Sequence, residues 1–253
     1  MNDRMMEIFL EIHQDMPRQG PGNFDATRRA FAMLADLPPR PTILDIGCGP
    51  GKQTLELSQL TEGRIVAIDM HQPYLDTLAE NARRAGVTER IEVVQRDMHA
   101  LEVEAETYDL IWAEGSIYLI GFAQGLRTWK PFLKPGGYLA ATELTWLNPN
   151  APAEVKAFWE EEYPAMQTRE HNLRIIQEAG YTLVGHFPLP ESAWWEDYYT
   201  PLEQRLTAFR KQYADDSDAQ TVIDAEQTEI DMYRNYADYY GYVFYVIQKP
   251  TPA

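Results

Sequence analysis

Cysteine is almost absent: Cys48 is the only one among 253 residues, so no disulfide can form within the chain. Long apolar runs are missing as well, and no stretch reaches the roughly 18 residues that a membrane-spanning helix needs. Basic residues are scarce. With 22 Lys and Arg against 39 Asp and Glu, the net charge is −17, which repels nucleic acid phosphates and anionic membranes. The pairs Arg28–Arg29 and Arg83–Arg84 sit on helical stretches and read as solvated faces rather than as a basic groove. No Cys and His pair has the spacing of metal ligands, so no metal site is predicted. Asp3, Glu7 and Glu11 stand where a signal peptide carries basic and then apolar residues. These shortages predict a cytoplasmic protein with neither nucleic acid nor membrane as partner. The chain shows no repeat or low-complexity segment, and its length suffices to bury a large core as a single α/β domain over 1–253.

What is present is concentrated in ILDIGCGPGK at Ile43–Lys52. Ile43, Leu44 and Ile46 read as a buried strand, and Leu55, Leu57 and Leu60 as the inward face of a following helix. Between them Gly47, Gly49 and Gly51 remove side chains where the backbone must turn and a ligand can approach closely. Strand, glycine loop and helix in this order make a ligand site at a helix N-terminus. A dinucleotide fingerprint, G-x-G-x-x-G, would need glycine where Lys52 stands. A Walker phosphate loop would need glycine at Ile46 and Ser or Thr at Gln53. What remains is D-x-G-x-G-x-G, opened by Asp45 at the strand's end.

Further strand-like runs follow in order. RIVAID at Arg64–Asp69 ends in an acid 22 residues after Gly47, where doubly wound folds bind ribose hydroxyls through a carboxylate. IEVVQRD at Ile91–Asp97 ends in another acid, followed by Met98; YDLIWAEG spans Tyr108–Gly115, and LKPGGYLAATE spans Leu133–Glu143. The glycine motif, with these strand ends behind it, resembles class I S-adenosylmethionine-dependent methyltransferases over about 150 residues. RQGPG early, WAEGSIYLIGF mid-chain and YYGYVFYV at the end resemble a bacterial small-molecule group of that family. The resemblance implies S-adenosylmethionine as cofactor, lying over Gly47, Cys48, Gly49 and Gly51 with Asp45 at the loop's start. It puts Asp69 and Met70 at the ribose, Asp97 and Met98 at the adenine, and Glu114 after the fourth strand.

Punctuation divides the rest. An N-terminal helical segment occupies 1–40, with a helix over Asn2–Asp15 and another, capped by Asp25 or Thr27, running to about Leu37. The cofactor-binding core covers 41–147, with helices at Pro73–Ala85 and Gly121–Phe132, and alternation of strands and helices implies a parallel sheet. The C-terminal part, 148–253, carries helical patterns at Ala153–Tyr163 and Thr168–Ala179, then strands at Tyr181–Leu189 and Tyr242–Gln248. A helical, aromatic-rich insertion at about 190–239 separates these last two strands. The resemblance implies a Rossmann-like sheet of seven strands, six parallel, with the last inserted antiparallel between the fifth and sixth.

The segment from Asn148 onward holds 8 basic and 18 acidic residues, and its insertion carries ESAWWEDYYTP at Glu191–Pro201. Trp194, Trp195 and Tyr198, with Trp146, form either an acceptor pocket under a lid, suited to a cationic or aromatic molecule, or the packed face of a cap. PRQGPG at Pro17–Gly22 is either a plain turn or a strap over the cofactor, in which Gly20 allows close approach and Arg18 pairs with the methionine carboxylate. Methyl transfer from a sulfonium needs alignment and exclusion of water; a base is needed only if the acceptor must lose a proton. Candidates are Glu114, Tyr118, Glu143 and His13, while His171 and His186 suit structural roles and His99 reads as a surface residue. The function expected is methyl transfer to a small-molecule acceptor. The alternatives are a non-catalytic cofactor-binding sensor or assembly protein, and an oxidoreductase, which the glycine spacing disfavours.

Overall fold

A computed structural model describes residues 1–252. Its centre is a sheet in the order β3 (Ile91–Gln95), β2 (Arg64–Asp69), β1 (Thr42–Ile46), β4 (Tyr108–Ala113), β5 (Leu133–Trp146), β8 (Tyr240–Gln248), β7 (Thr182–Pro188). β1 to β5 pair in parallel, and β8 runs antiparallel to both neighbours. Strands buried on both faces read as near-continuous apolar runs, as TILDI and YDLIWA do. Alternate side chains serve opposite faces: Ile43, Trp112 and Phe244 pack with α2 (Phe24–Phe31), α3 (Lys52–Leu60) and α4 (Gln72–Ala85). Leu44, Ile111 and Tyr245 pack instead with α5 (Phe122–Trp129) and α7 (Arg169–Glu178).

The sheet has one strand more than the seven expected. The two-residue β6 (Gln167–Thr168) pairs in parallel with Thr145–Trp146 at the carboxyl end of β5, too short to leave a periodic trace in the sequence. The second helix also differs. Asn23, not Asp25 or Thr27, caps α2 by accepting the Ala26 N–H, and the helix ends at Phe31. From there to Leu37 the chain closes in tighter turns, such as Leu34 N–H to Phe31 C=O at 3.1 Å, before Pro38 and Pro39 stop it.

The insertion between β7 and β8 is α8 (Ser192–Trp194), a wide π-helical turn (Trp195–Tyr199), α9 (Thr200–Gln212) and α10 (Ser217–Tyr236). Together with α1 (Asp3–His13) and α6 (Ala153–Glu162) it builds a core of its own, in which Ile8, Ile12, Trp159, Trp194, Leu206 and Ile230 are buried. This helical cap sits at the carboxyl end of β5, beside the loops that follow β1 and β4. No helix among the described residues is long and apolar enough to cross a membrane.

Candidate active site

The glycine loop after β1 makes its hydrogen bonds internally. Gly47 and Cys48 donate to Ile68 C=O at 2.9 Å each, Gly49 to Asp69 Oδ2 at 2.9 Å, and Gly51 to Cys48 C=O at 3.0 Å. The three glycines have different reasons. A Cβ on Gly51, whose φ is +83°, would stand 2.2 Å from Leu78 Cδ1, and one on Gly47 would stand 2.5 Å from Ser116 Cβ. A Cβ on Gly49 would meet nothing nearer than Gln19 Cγ at 3.5 Å, because Gly49 faces open space. That space is a cavity of about 450 Å³ over the carboxyl ends of β1, β2 and β4.

Gly47, Cys48 and Gly49 after β1 and Asp69 and Met70 after β2 line its middle, with Asp97 and Met98 after β3 towards one end and Glu114 and Tyr118 after β4 towards the other. Asp69 ties the loop after β1 to the turn after β2, since its second oxygen accepts the His71 N–H at 2.9 Å. Asp97 accepts from the His99 N–H and ring, bonds that hold its carboxyl below the usual range. Gly51 and Asp45 do not reach the cavity. Asp45 lies fully buried under the loop, where burial pushes its carboxyl up to about 7 although Thr54 donates to it at 2.6 Å.

The segment before α2 closes the cavity. Arg18, Gln19, Gly20 and Pro21 line it, and Gly22 N–H donates to Ala193 C=O at 2.9 Å, joining this strap to the insertion. Tyr74 of α4 donates to Gln19 Oε1 at 2.8 Å and latches it from the other side. Arg18 is buried, with Nη1 donating to Glu114 Oε2 at 3.0 Å, Nη2 bonded to Glu56, and Nε, without a hydrogen bond, 3.9 Å from Asp197 Oδ2. Glu114 accepts further bonds on its other oxygen from Thr27 Oγ1 and Trp112 Nε1, both at 2.8 Å. Three donors commit this carboxylate to holding the strap against β4.

A second chamber of about 230 Å³ shares Gly20, Pro21, Gly115 and Tyr118 with the first. Its walls are aromatic: Trp159, Tyr163, Trp194, Tyr198 and Tyr242, with Glu229 inside and Glu162 beside them. Tyr118 stands at the junction, its ring 5.9 Å from that of Tyr163. Tyr118 keeps 37% of its surface accessible, yet burial pushes its hydroxyl up, as expected for a ring facing an enclosed space. Trp194 and Tyr198 are packed rather than loosely held: they are 2% and 6% exposed, and Trp194 stacks on Tyr233 at 4.0 Å.

Trp195 and Trp146 are outside. Trp195 is half-buried with the Arg234 guanidinium 5.1 Å over its ring, and Trp146 faces a separate groove beside Pro149 and Lys156. Glu143 lies behind the chamber wall, 2% exposed, accepting the Tyr163 hydroxyl at 2.6 Å with its other oxygen unpartnered. Burial pushes it up to about 8. His13 reaches neither cavity; its Nε2 is 3.3 Å from Glu226 Oε2 under the cap. Sequence reasoning passed over Gln19, Tyr74, Tyr163, Tyr242 and Glu229. The doubled tyrosines of YYGYVFYV were the one visible signal, and they did not show which ring faces a cavity.

Residues 43–137 match the family described as a methyltransferase domain. The chain has a class I methyltransferase fold. It is similar to a methyltransferase of Geobacter sulfurreducens crystallised with S-adenosylhomocysteine, at 19% identity and a TM-score of 0.81 over 95% of this chain and 97% of that one. It is also similar in fold to the [4+2]-cyclase SpnF, at 20% identity and a TM-score of 0.74 over 98% and 93% of the two chains. In sequence, 132 residues are 33% identical to the biotin biosynthesis bifunctional protein BioHC of Teredinibacter turnerae, covering 47% of this chain and 21% of that protein. The chain spans 18% to 56% of the length of the curated relatives it matches here. The methyltransferase domain supplies the walls of the first cavity after β1 to β4; the strap and the aromatic wall lie outside residues 43–137.

Proposed function

We propose that this protein is a cytoplasmic enzyme that transfers a methyl group from S-adenosylmethionine to a small-molecule acceptor. The observation that carries this reading is the pair of adjoining cavities, one over the glycine loop and Asp69, the other aromatic, meeting at Tyr118.

The first cavity fits the cofactor on its own chemistry. Loop N–H groups already spent on Ile68 and Asp69 leave no anion cradle, which disfavours a diphosphate. The acids Asp69, Asp97 and Glu114 around the cavity suit a cationic sulfonium. Asp69 retains lone pairs for two ribose hydroxyls, Asp97 and Met98 would border the adenine, and Gly49 admits the ligand's close approach. Arg18 Nε makes no hydrogen bond and lies 3.9 Å from Asp197 Oδ2, so a ligand carboxylate reaching it would compete with that acid. When bound, the cofactor supplies an activated methyl group on a good leaving group.

The chain's own task is then to hold an acceptor beside Tyr118, exclude water with strap and cap, and receive any proton the acceptor loses. The Tyr163 hydroxyl donates to Glu143, a carboxyl raised to about 8, which takes up such a proton only in the fraction that is ionised, largest at pH 8 and above. Trp194 and Tyr198 shape the acceptor's site. The test is incubation of the purified protein with methyl-labelled S-adenosylmethionine and metabolite extracts. Label appearing in a small-molecule product supports the reading. Cofactor binding without any labelled product would favour a non-methylating use of the fold, as the likeness to a cyclase allows.

A further inference from the structure

The second chamber has a charge pattern that selects among acceptors. Among the described residues no Lys, Arg or His lines it, while Glu229 stands inside and Glu162 beside it. Glu229 Oε1 accepts one hydrogen bond, from Tyr199 at 2.8 Å, and the nearest imidazole, His13, is engaged with Glu226. The carboxyl therefore lines the chamber with no cationic side chain lining it as well. Around it stand the rings of Tyr118, Tyr163, Trp194, Tyr198 and Tyr242, with one face of Trp194 taken by Tyr233 at 4.0 Å. Ring faces are electron-rich and attract cations, more strongly when desolvated.

An anionic acceptor would be repelled, and a neutral phenol would donate one hydrogen bond but leave the acid's charge and the ring faces unmatched. A small organic cation matches both. Resting on the reading of this chamber as the acceptor site, we propose that it holds a protonated amine or quaternary ammonium group of the acceptor against Glu229 and the chamber's rings, the methylated atom being a separate nucleophile of the same molecule.

The titration of Glu229 gives the proposal a second handle. Burial raises its carboxyl to about 7, with Glu226 and Glu162 adding to the rise and the Tyr199 bond and His13 opposing it. The phenols of Tyr118, Tyr198, Tyr240 and Tyr242 also face this region and stay neutral at that pH. A bound cation favours the carboxylate, so binding near neutral pH should release protons.

The experiment is calorimetric titration of the full chain, with and without S-adenosylhomocysteine, using choline and its neutral isostere 3,3-dimethylbutan-1-ol. Choline should bind at least tenfold more tightly than the alcohol, about 1.4 kcal/mol. Glu229→Gln, which keeps the acceptor for Tyr199, should erase that preference while changing S-adenosylhomocysteine affinity less than threefold. The choline enthalpy should differ between phosphate and Tris buffers, and the alcohol's should not. Equal affinities for the two probes in the wild-type chain, no saturable choline binding, or buffer-independent choline enthalpy would each overturn the proposal. Failure of S-adenosylhomocysteine to bind while choline binds would instead count against the methyltransferase reading and leave the ammonium site standing.

Discussion

The cavity over Gly47–Gly49 is built largely from strand ends and the residues just after them, whereas the aromatic chamber draws on the strap, β5, α6, the π-helical turn, α10 and β8. In the first, each side chain is placed by a strand that the sheet fixes, so chemistry and position are written within a few residues of each other. In the second, the same residues that line the space also form the cap's core. A wall of that kind cannot be altered without disturbing the fold. The cofactor side should therefore separate binding from stability under mutation, and the chamber side should not.

The largest effect expected tests the chamber. Trp194→Ala removes a side chain 2% exposed and stacked on Tyr233, which should cost about 3–5 kcal/mol in chemical denaturation. Trp195→Ala, outside the chamber and half-buried, should cost about 1 kcal/mol or less. Equal small costs would mean that the cap is a mobile lid rather than a packed wall. On the cofactor side, Gly49→Val should leave a folded protein that no longer binds S-adenosylhomocysteine, because a branched side chain would fill ligand space at a φ of +53°. A well-folded variant binding normally would break the close-approach argument.

These contrasts mirror what the sequence allowed to be read. Asp69, Asp97 and Glu114 were legible because each ends a strand whose apolar run announces it. The chamber was not, because helical periodicity shows which face is buried and not what it faces. Trp194 and Trp195 are adjacent and alike in sequence, yet the π-helical turn sends one to the chamber and leaves the other under Arg234. Glu229 sits in a run of acids on α10 that looks solvated, and only its approach to Tyr199, 30 residues away, sets it apart. The Arg18–Glu114 bond spans 96 residues, so Glu114 read as a free base when three donors hold it. β6 and the early end of α2 escaped for a simpler reason: two residues make no period, and a helix end set by tight turns before Pro38 has no Gly to mark it.

A middle-sized effect sharpens the cofactor side. Asp69→Ala removes the acceptor for two hydroxyls and should weaken S-adenosylhomocysteine binding ten- to a hundredfold, about 1.5–3 kcal/mol. Part of that loss would come through the freed N–H groups of Gly49 and His71. Unchanged affinity would move the ribose elsewhere.

The smallest effect concerns Glu143. Its carboxyl titrates at about 8 in the folded chain against 4.5 as its ordinary value, so between those pH values the native state keeps a proton that the unfolded state has lost. Stability contributed by the neutral form is full below 4.5 and falls as pH rises, by up to about 1.4 kcal/mol per pH unit, levelling above 8. Asp45 and Glu229, both raised to about 7, act in the same direction at lower pH. Thermal unfolding should therefore show a falling wild-type Tm from pH 7 to 8, and Glu143→Gln should flatten that last interval. A slope identical in both proteins would mean that Glu143 is ionised in the fold.

The division of the molecule into a cofactor cavity and an acceptor chamber stands or falls on what the glycine loop binds. Calorimetric titration of the purified chain with S-adenosylmethionine, S-adenosylhomocysteine and NAD, each alone, addresses that directly. The account predicts one saturable site for each of the two sulfur nucleosides and no binding of NAD. Binding of NAD in preference to both would contradict it.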